Sequence, residues 1–296
     1  MRKVKIITDS CSDLGQELLE KYDIDYAPMR TVLDGVESPA LLTWSDAEAH
    51  ELYETIRGGK RVTTTQVPAG DFEIIFKKYL SEGYDIVYIA CSSKQSGSVN
   101  TGYVTAQRLL ADYPDASVYC IDSLNASLGE GMLAVEAAKC VAQGMSADEI
   151  NKYILSIRNN VNQFATVHTL EHLKKAGRVS ASSAFFGNLI GVKPIIISDA
   201  NGVQTAIKKV KGRQKSFSEI VACLKEKIVN AEEQTIYIAH GDCSEDELSA
   251  LVSLVKQEIP AKDYYVGYIG PIIGASIGPD AVSVWGFGEA VTHKAE

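Results

Sequence analysis

The chain has 296 residues, of which 46% are hydrophobic, and a formal net charge of -9 at pH 7. This length and hydrophobic content predict about two domains with sizeable cores. Nucleic acid is not an expected partner, because neutralising its phosphates requires clustered Lys and Arg that this acidic chain lacks. No charged and apolar leader opens the sequence, and no apolar run approaches the roughly 20 residues that span a bilayer. We therefore expect a soluble, cytoplasmic protein without stable membrane insertion.

Strand-like and helix-like segments alternate along the chain, beginning with the strand-like residues 4–8. Such alternation is typical of βαβ units and predicts an α/β fold with a largely parallel sheet. The later predicted strands are residues 85–90, 117–121, 163–168, 193–198, 203–209, 235–240, 264–269 and 281–287.

Helix boundaries are indicated by a serine followed three residues later by a glutamate, which is the spacing of a capping box. A long helical run over residues 127–160, interrupted at Gly144, separates a helix-rich half from a half with closely spaced strands. We therefore predict two domains, residues 1–162 and 163–296, with a cleft between them. The four capping serines are Ser45, Ser146, Ser216 and Ser244.

The segment from Asp85 to Gly102 is the most informative for function, because a buried strand ends there in the loop CSSKQSGS, residues 91–98. Ligands in open α/β sheets bind beyond the carboxyl ends of strands, and hydroxyls, loop amides and a following helix N-terminus can donate to an anion. The loop contains no Asp, Glu or His that could act as a base, so it predicts anion binding rather than catalysis. Four other segments share this composition, although capping and turn formation favour the same residues; these segments are residues 8–13, 63–68, 122–129 and 270–279.

A serine-dependent esterase or thioesterase is the main catalytic alternative, with Ser93 or Ser96 as nucleophile and His240 as base. The GxSxG motif is absent, and a solvated strand end or a cap suits His240 better than a base does. Asp9 and Asp122 directly follow strands, where capping and hydrogen bonds from loop amides are favoured over catalysis. We expect no enzymatic activity and no cofactor.

The six cysteines are widely scattered, with no CxxC pair and no Cys/His cluster at zinc spacing. They are expected to be buried or incidental thiols, and no metal site is predicted.

A short amphipathic helix is predicted to end at Gly177, a residue type favoured just beyond helix C-termini. Arg178 follows in a turn, where its guanidinium can point towards a ligand or a partner. Favourable interaction with the helix C-terminus explains the basic residues of this segment equally well.

Seven stretches spread along the chain are distinctive in their order and spacing: IITDSCSDL, TTTQVPAGDF, IACSSKQSGSVNTGY, CIDSLNASLGEG, LEHLKKAGRVS, VKPIIIS and IGPIIGASIGPDAV. In these stretches the chain resembles the DegV family of bacterial fatty-acid-binding proteins over essentially its whole length. The resemblance implies an α/β/α sandwich with a largely parallel sheet, a two-layer α/β domain with a mixed sheet, and one long-chain fatty acid in a tunnel between them. It also implies a role as the lipid-carrying subunit of a fatty acid kinase, which presents the carboxylate to a separate ATP-binding subunit for acyl phosphate formation.

The resemblance also implies which residues bind the carboxylate. The family's head-group contacts fall on Thr64 or Thr65 and on Ser93, with backbone amides around Ser96 and Gly97. On this expectation, Ser93 is the first residue to mutate in a test of carboxylate binding.

Two further positions follow from the resemblance. Arg178 matches the family arginine associated with the kinase subunit. Ser276 stands where the family usually has a His that contacts the carboxylate; a serine still donates one hydrogen bond, but a weaker one than a charged donor. The exchange leaves open a carrier of another carboxylated lipid. Apolar side chains that follow Arg178 are expected to form a packed helix face rather than a tunnel wall: Phe185, Phe186, Leu189 and Ile190.

Overall fold

The computed structural model describes residues 2–180 and 191–295. The four apolar side chains at positions 185, 186, 189 and 190 therefore lie outside the described residues. Within the described ranges, none of the helices combines the length and the apolar character needed to cross a lipid bilayer.

Strands and helices alternate through most of the described chain. The strands are β1 (Lys3–Asp9), β2 (Ile24–Ala27), β3 (Arg30–Leu33), β4 (Val36–Pro39), β5 (Thr63–Thr65), β6 (Tyr84–Ala90), β7 (Val118–Asp122), β8 (Val161–Thr166), β9 (Val179–Ser180), β10 (Val192–Ser198), β11 (Gln204–Lys211), β12 (Thr235–His240), β13 (Asp263–Tyr268) and β14 (Val282–Phe287). The helices are α1 (Gln16–Lys21), α2 (Asp46–Arg57), α3 (Ala69–Ser81), α4 (Ser98–Leu109), α5 (Leu128–Ala142), α6 (Ala147–Ile157), α7 (Glu171–Ala176), α8 (Arg213–Lys227), α9 (Glu245–Glu258) and α10 (Pro271–Ile277).

The first half of the chain is built on a four-stranded parallel sheet with strand order β2-β1-β6-β7. Helices α3 and α4 pack on one face of this sheet, and α5 and α6 pack on the other. Because both faces are covered, β6 is almost continuously apolar, as expected for a strand of a buried parallel sheet. This sandwich confirms the predicted α/β class.

The second half is built on a seven-stranded mixed sheet with order β13-β12-β14-β8-β10-β11-β9. Its strands alternate between two cores, as the two-residue period of a pleated strand requires. In β12, Ile236 and Ile238 pack under α8 and α9, whereas Tyr237 and Ala239 face the core that contains α5. One layer of helices therefore covers this sheet from outside, and the predicted two-layer mixed half is confirmed.

Helix α5 links the two halves. It contacts β1 and β6 of the parallel sheet and β8 of the mixed sheet, and eleven of its 15 residues are buried. A helix that is apolar on all sides is stable only when it is enclosed, which explains the Ala- and Gly-rich sequence LGEGMLAVEAAKCVA. The boundary predicted near Asn162 falls at the start of β8 and stays a prediction.

Two of the four predicted capping boxes are confirmed, at Ser45 and Ser146. Ser244 also caps its helix, but the Glu247 side chain instead pairs with Arg213. The prediction at Ser216 is wrong, because this serine lies inside α8, where its hydroxyl donates to the Arg213 carbonyl.

The glycine-rich segment 270–279 is not the loop that its composition predicts. Residues Pro271–Ile277 form α10, with the proline at the first helical position, where a missing N–H costs nothing. Residues 63–65 of another predicted loop form β5, the edge of a small antiparallel sheet of order β4-β3-β5. Both segments consequently hold their side chains on regular backbone.

Candidate functional site

A cavity lies between the carboxyl ends of β1, β6 and β7 and one face of the mixed sheet. This edge of a parallel sheet is where ligands bind in open α/β folds. The residues that line it are Cys11, Met29, Thr64, Thr65, Gln66, Cys91, Gln95, Ser96, Gly97, Ala126, Ser127, Gln163, Ala165, Leu173, Arg178, Gln204, Ile269, Ile272, Ile273, Ser276, Ile277, Ser283 and Trp285.

The pleat of the mixed sheet determines which of its side chains reach the cavity. Gln163 and Ala165 lie two residues apart on β8 and therefore share the face towards the cavity, as do Ser283 and Trp285 on β14. The register pairs Ser283 with Ala165. The side-chain amide of Gln163 donates to Gln204 on β11 at 2.6 Å, which satisfies two buried polar groups. Isoleucines on α10 face the same space. The lining therefore combines apolar side chains, among them the isoleucines of α10 and Trp285, with a comparable number of polar ones.

The loop after β6 is tied to the second half of the chain at several points. The Ser92 hydroxyl and the Gln95 side-chain amide both donate to the carbonyl of Gly202, at 2.8 and 3.1 Å. Gly202 has a positive φ of 81°, and a Cβ there would lie 2.2 Å from the Ser92 oxygen, so glycine is required. These contacts fix the loop against the mixed sheet.

Ser96 is oriented by a chain of hydrogen bonds. The amide of Val67 donates to the Ser98 oxygen at 3.2 Å, and the hydroxyls of Ser98 and Ser96 are 3.0 Å apart. The amide of Ser98 also donates to the Ser96 oxygen, at 3.2 Å. When the Ser98 hydroxyl donates to Ser96, the Ser96 oxygen is an acceptor twice and its own proton is free for a ligand. The amides of the first turn of α4, which lack intrahelical acceptors, lie beside it.

Ser93 is not among the residues that line the cavity. Its side chain is exposed, and its amide donates to the Asp122 carboxylate at 3.2 Å. Ser96, three residues further along the loop, does line the cavity. The head-group role of Ser93 stays a prediction, without support from this geometry.

Thr64, Thr65 and Gly97 all reach the cavity. The two threonines are held on β5, which pairs with β3 through the partners Thr31 and Arg30. The Gln66 side chain crosses over Gly97, where a Cβ would lie 2.1 Å from its oxygen, and its amide donates to Thr101 on α4 at 2.7 Å. Strand β5 and the loop after β6 therefore form one wall.

A second, basic depression adjoins the cavity. Thr64, Arg178 and Ser276 line both spaces and so mark where they meet. Arg178 is exposed, and its Nε donates to the Gln95 carbonyl at 3.1 Å, which places the guanidinium beside the loop after β6. The cationic side chains that line the depression are Lys60, Arg61, Lys175 and Arg178.

Buried acids lie behind the cavity wall. Burial raises the pKa of Asp9, although hydrogen bonds from the Tyr88 hydroxyl and from the amides of Cys11 and Cys91 oppose the shift. Burial and the charge of Asp9 raise the pKa of Glu130 strongly. The predicted contacts from loop amides are present at Asp9 and also at Asp122, which accepts from the Leu124 amide at 2.9 Å.

Burial raises the pKa of Asp13 to about 8, against a hydrogen bond from the Ser127 hydroxyl. Ser127 itself lines the cavity. A protonated acid therefore lies one hydrogen bond away from the cavity wall at neutral pH.

His240 lies at the end of β12 but is not the solvated group that its position suggests. The side chain is buried, and its ring packs on Tyr268 with centroids 4.3 Å apart. Burial lowers its pKa. Among the described residues, no hydrogen bond joins His240 to Ser93 or Ser96, so the structure does not assemble the predicted serine and base.

Several wall residues have no signal in the sequence. Gln163, Gln204, Ser283 and Trp285 are separated along the chain and come together only through the strand order of the mixed sheet. The thiols of Cys11 and Cys91 follow β1 and β6, and their sulfur atoms are 3.2 Å apart. This pair is close because β1 and β6 are neighbours in the sheet.

Comparison of the sequence with known proteins identifies one family of relatives. The model of a family described as "Uncharacterised protein, DegV family" matches residues 3–288. A DegV domain-containing protein of Clostridium perfringens (strain 13 / Type A) is 35% identical over 289 residues, covering 98% of this chain and 99% of that protein.

Solved structures give the same result. A DegV lipid-binding protein from Thermotoga maritima superimposes with a TM-score of 0.85 at 26% identity, covering 98% of this chain and 100% of that one. A DegV family protein from Thermus thermophilus, described by its fatty acid binding, has a TM-score of 0.86 at 25% identity and covers 97% and 100%. DegV of Bacillus subtilis, described as a fatty acid binding protein, has a TM-score of 0.83 at 25% identity, with the same coverage.

Proposed function

The chain belongs to the DegV family, and on that premise we propose that it holds one long-chain fatty acid in the cavity between its two main sheets. The single observation that carries the proposal is the cavity itself, which is lined by isoleucines, Leu173 and Trp285 together with several hydroxyls and one guanidinium. The solved relatives described as lipid- or fatty-acid-binding share this fold.

The apolar wall would supply most of the affinity. Each methylene group moved from water into an apolar site contributes about 0.8 kcal/mol. Ile272, Ile273, Ala165 and Trp285 offer such surroundings to an acyl chain. A carboxylated amphiphile is the ligand class that suits an apolar tunnel with donors at one end.

The donors would orient the carboxylate. We propose Thr64, Thr65 and Ser276 as hydroxyl donors, with Ser96 and the amide of Gly97 on the facing loop. Thr64 and Ser276 lie where the cavity meets the basic depression, so a carboxylate there would remain accessible from outside.

We further propose that the protein presents this carboxylate to a separate ATP-binding kinase subunit. The basic depression supports this role, because cations beside the head group would offset the negative charge of ATP and of the acyl phosphate formed. Arg178 is the expected contact to that subunit. A partner that uses ATP places this function in the cytoplasm.

We propose binding without catalysis by this chain. No histidine is among the described residues that line the cavity, and Ser93 lies outside that lining; His172 lines only the adjoining depression, together with Thr64 and Ser276. Activation of a serine requires an adjacent base, so the esterase alternative has no geometric support.

Reconstitution with the cognate ATP-binding subunit tests the kinase role. Purified chain loaded with palmitate, the subunit and ATP should produce acyl phosphate, trapped as the hydroxamate, and no product should form without either protein. Arg178→Ala should lower the rate much more than it lowers palmitate affinity. If Arg178→Ala supports the wild-type rate, this arginine is not the partner contact; if palmitate binds but no product forms, the kinase role fails and the lipid-binding role stands.

A further inference from the structure

Two thiols and a carboxylate converge behind the cavity wall. Cys11 and Cys91 follow adjacent parallel strands, both are buried, and their sulfur atoms are 3.2 Å apart. A carboxylate oxygen of Glu130, from the first turn of α5, lies within 4.8 Å of both sulfurs. Cys91 and Glu130 each lie 80 or more residues after Cys11 in the sequence, so only the fold brings the three together.

The cluster is held rigidly. The two carboxylate oxygens of Asp9 accept from the amides of Cys11 and Cys91, at 2.9 and 3.2 Å, and so fix both cysteine backbones from one side chain. The Thr8 hydroxyl donates to Oε1 of Glu130 at 2.8 Å. Hydrogen bonds that orient the ligating residues in this way are typical of metal sites in proteins.

One atom in this cluster lacks a partner. Glu130 is fully buried, and its Oε2 has no hydrogen-bond partner among the described residues. Native proteins leave few buried polar atoms unsatisfied. A bound cation would satisfy this oxygen.

We propose that Cys11, Cys91 and Glu130 form a binding site for a thiophilic cation such as Zn²⁺. Two sulfurs and one carboxylate oxygen are a donor set that this ion favours over Mg²⁺ or Ca²⁺. Tetrahedral geometry with Zn–S bonds of about 2.3 Å places two sulfurs about 3.8 Å apart, so the pair would open by about half an ångström. Both cysteines line the cavity, which provides an entry path and leaves a fourth position for water or a ligand.

Titration of the reduced, chelator-treated full chain with Cd²⁺ tests the proposal. Cadmium–thiolate absorption in the ultraviolet should rise to a plateau at one ion per chain, and elemental analysis after gel filtration should find one Zn²⁺. Cys11→Ala and Cys91→Ala should each abolish the signal. Cys223→Ala is the matched control, because that thiol also contacts a carboxylate, Glu219 at 3.5 Å, but among the described residues it belongs to no group of metal-ligating side chains.

Glu130→Gln gives a second test that does not remove a sulfur. Glutamine retains an acceptor for Thr8, so the metal-free variant should melt no lower than the wild type, while its affinity for Zn²⁺ should fall at least about tenfold. Unchanged affinity in this variant contradicts the role of Glu130. A reduced wild-type chain that takes up neither ion, or that binds them equally after either cysteine is replaced, overturns the site.

Discussion

Replacing Ser96 with alanine removes one donor from the cavity and leaves the apolar wall intact. The Ser96 oxygen already accepts from the amide of Ser98 at 3.2 Å and lies 3.0 Å from the Ser98 hydroxyl, which in turn accepts from the amide of Val67. Donation from Ser98 leaves the Ser96 proton for the carboxylate. The Ser96→Ala variant should therefore bind fatty acid more weakly.

The size of the effect follows from the charge of the acceptor. A hydrogen bond to a charged group contributes about 1.5 to 3 kcal/mol, and each 1.4 kcal/mol is about tenfold in affinity. The dissociation constant for palmitate should therefore rise about 10- to 150-fold. Burial of the acyl chain is unaffected, so binding should weaken rather than disappear.

Displacement of a fluorescent fatty acid by palmitate measures this change, with urea unfolding as the check on folding. Ser93→Ala is the matched control, because it makes the same truncation in the same loop on an exposed side chain outside the cavity lining. It should bind as the wild type does. Wild-type affinity in Ser96→Ala would refute the assignment of Ser96 as a head-group donor. An equal loss of affinity in Ser93→Ala would show that the exposed Ser93 contributes as much as Ser96 does, which also contradicts the assignment.

Two further variants test other parts of the site. Burial raises the pKa of Asp13 to about 8, so the folded state holds its proton more tightly than the unfolded state does, and the free energy of unfolding should fall as pH rises from about 4 to 8. Asp13→Asn should make that slope shallower in urea unfolding at a series of pH values, while the buried acids Asp9 and Glu130 keep their own contribution; an unchanged slope would show that Asp13 does not contribute to it. Ser276→His should tighten palmitate binding at pH 6, where the imidazole can donate as a cation; no gain would favour a carrier of a different carboxylated lipid.

Much of the fold could be predicted because long apolar or alternating segments determine it. The prediction for residues 235–240 matches β12, and that for 85–90 lies within β6. The strands that were missed have only two to four residues; β5 is three threonines, and it pairs with β3. Glycine and proline in residues 270–279 predicted a loop, but Pro271 begins a helix.

The site was predictable in position but not in detail. Hydroxyls after β6 indicated the edge of the sheet at which the cavity lies, since the carboxyl ends of parallel strands share it. Which serine faces the cavity depends on the path of the loop, and contacts such as the one between Ser92 and Gly202 come from the other half of the chain. Cys11 and Cys91 meet because β1 and β6 are neighbours, which spacing along the sequence cannot reveal.

The central claim is that the cavity holds a long-chain fatty acid, and the most direct measurement is of the lipid bound to the purified protein. Denaturing extraction followed by mass spectrometry should release a long-chain acid close to one per chain, and added oleate or palmitate should exchange with it. A protein that yields no lipid and also fails to bind added oleate or palmitate would contradict the account.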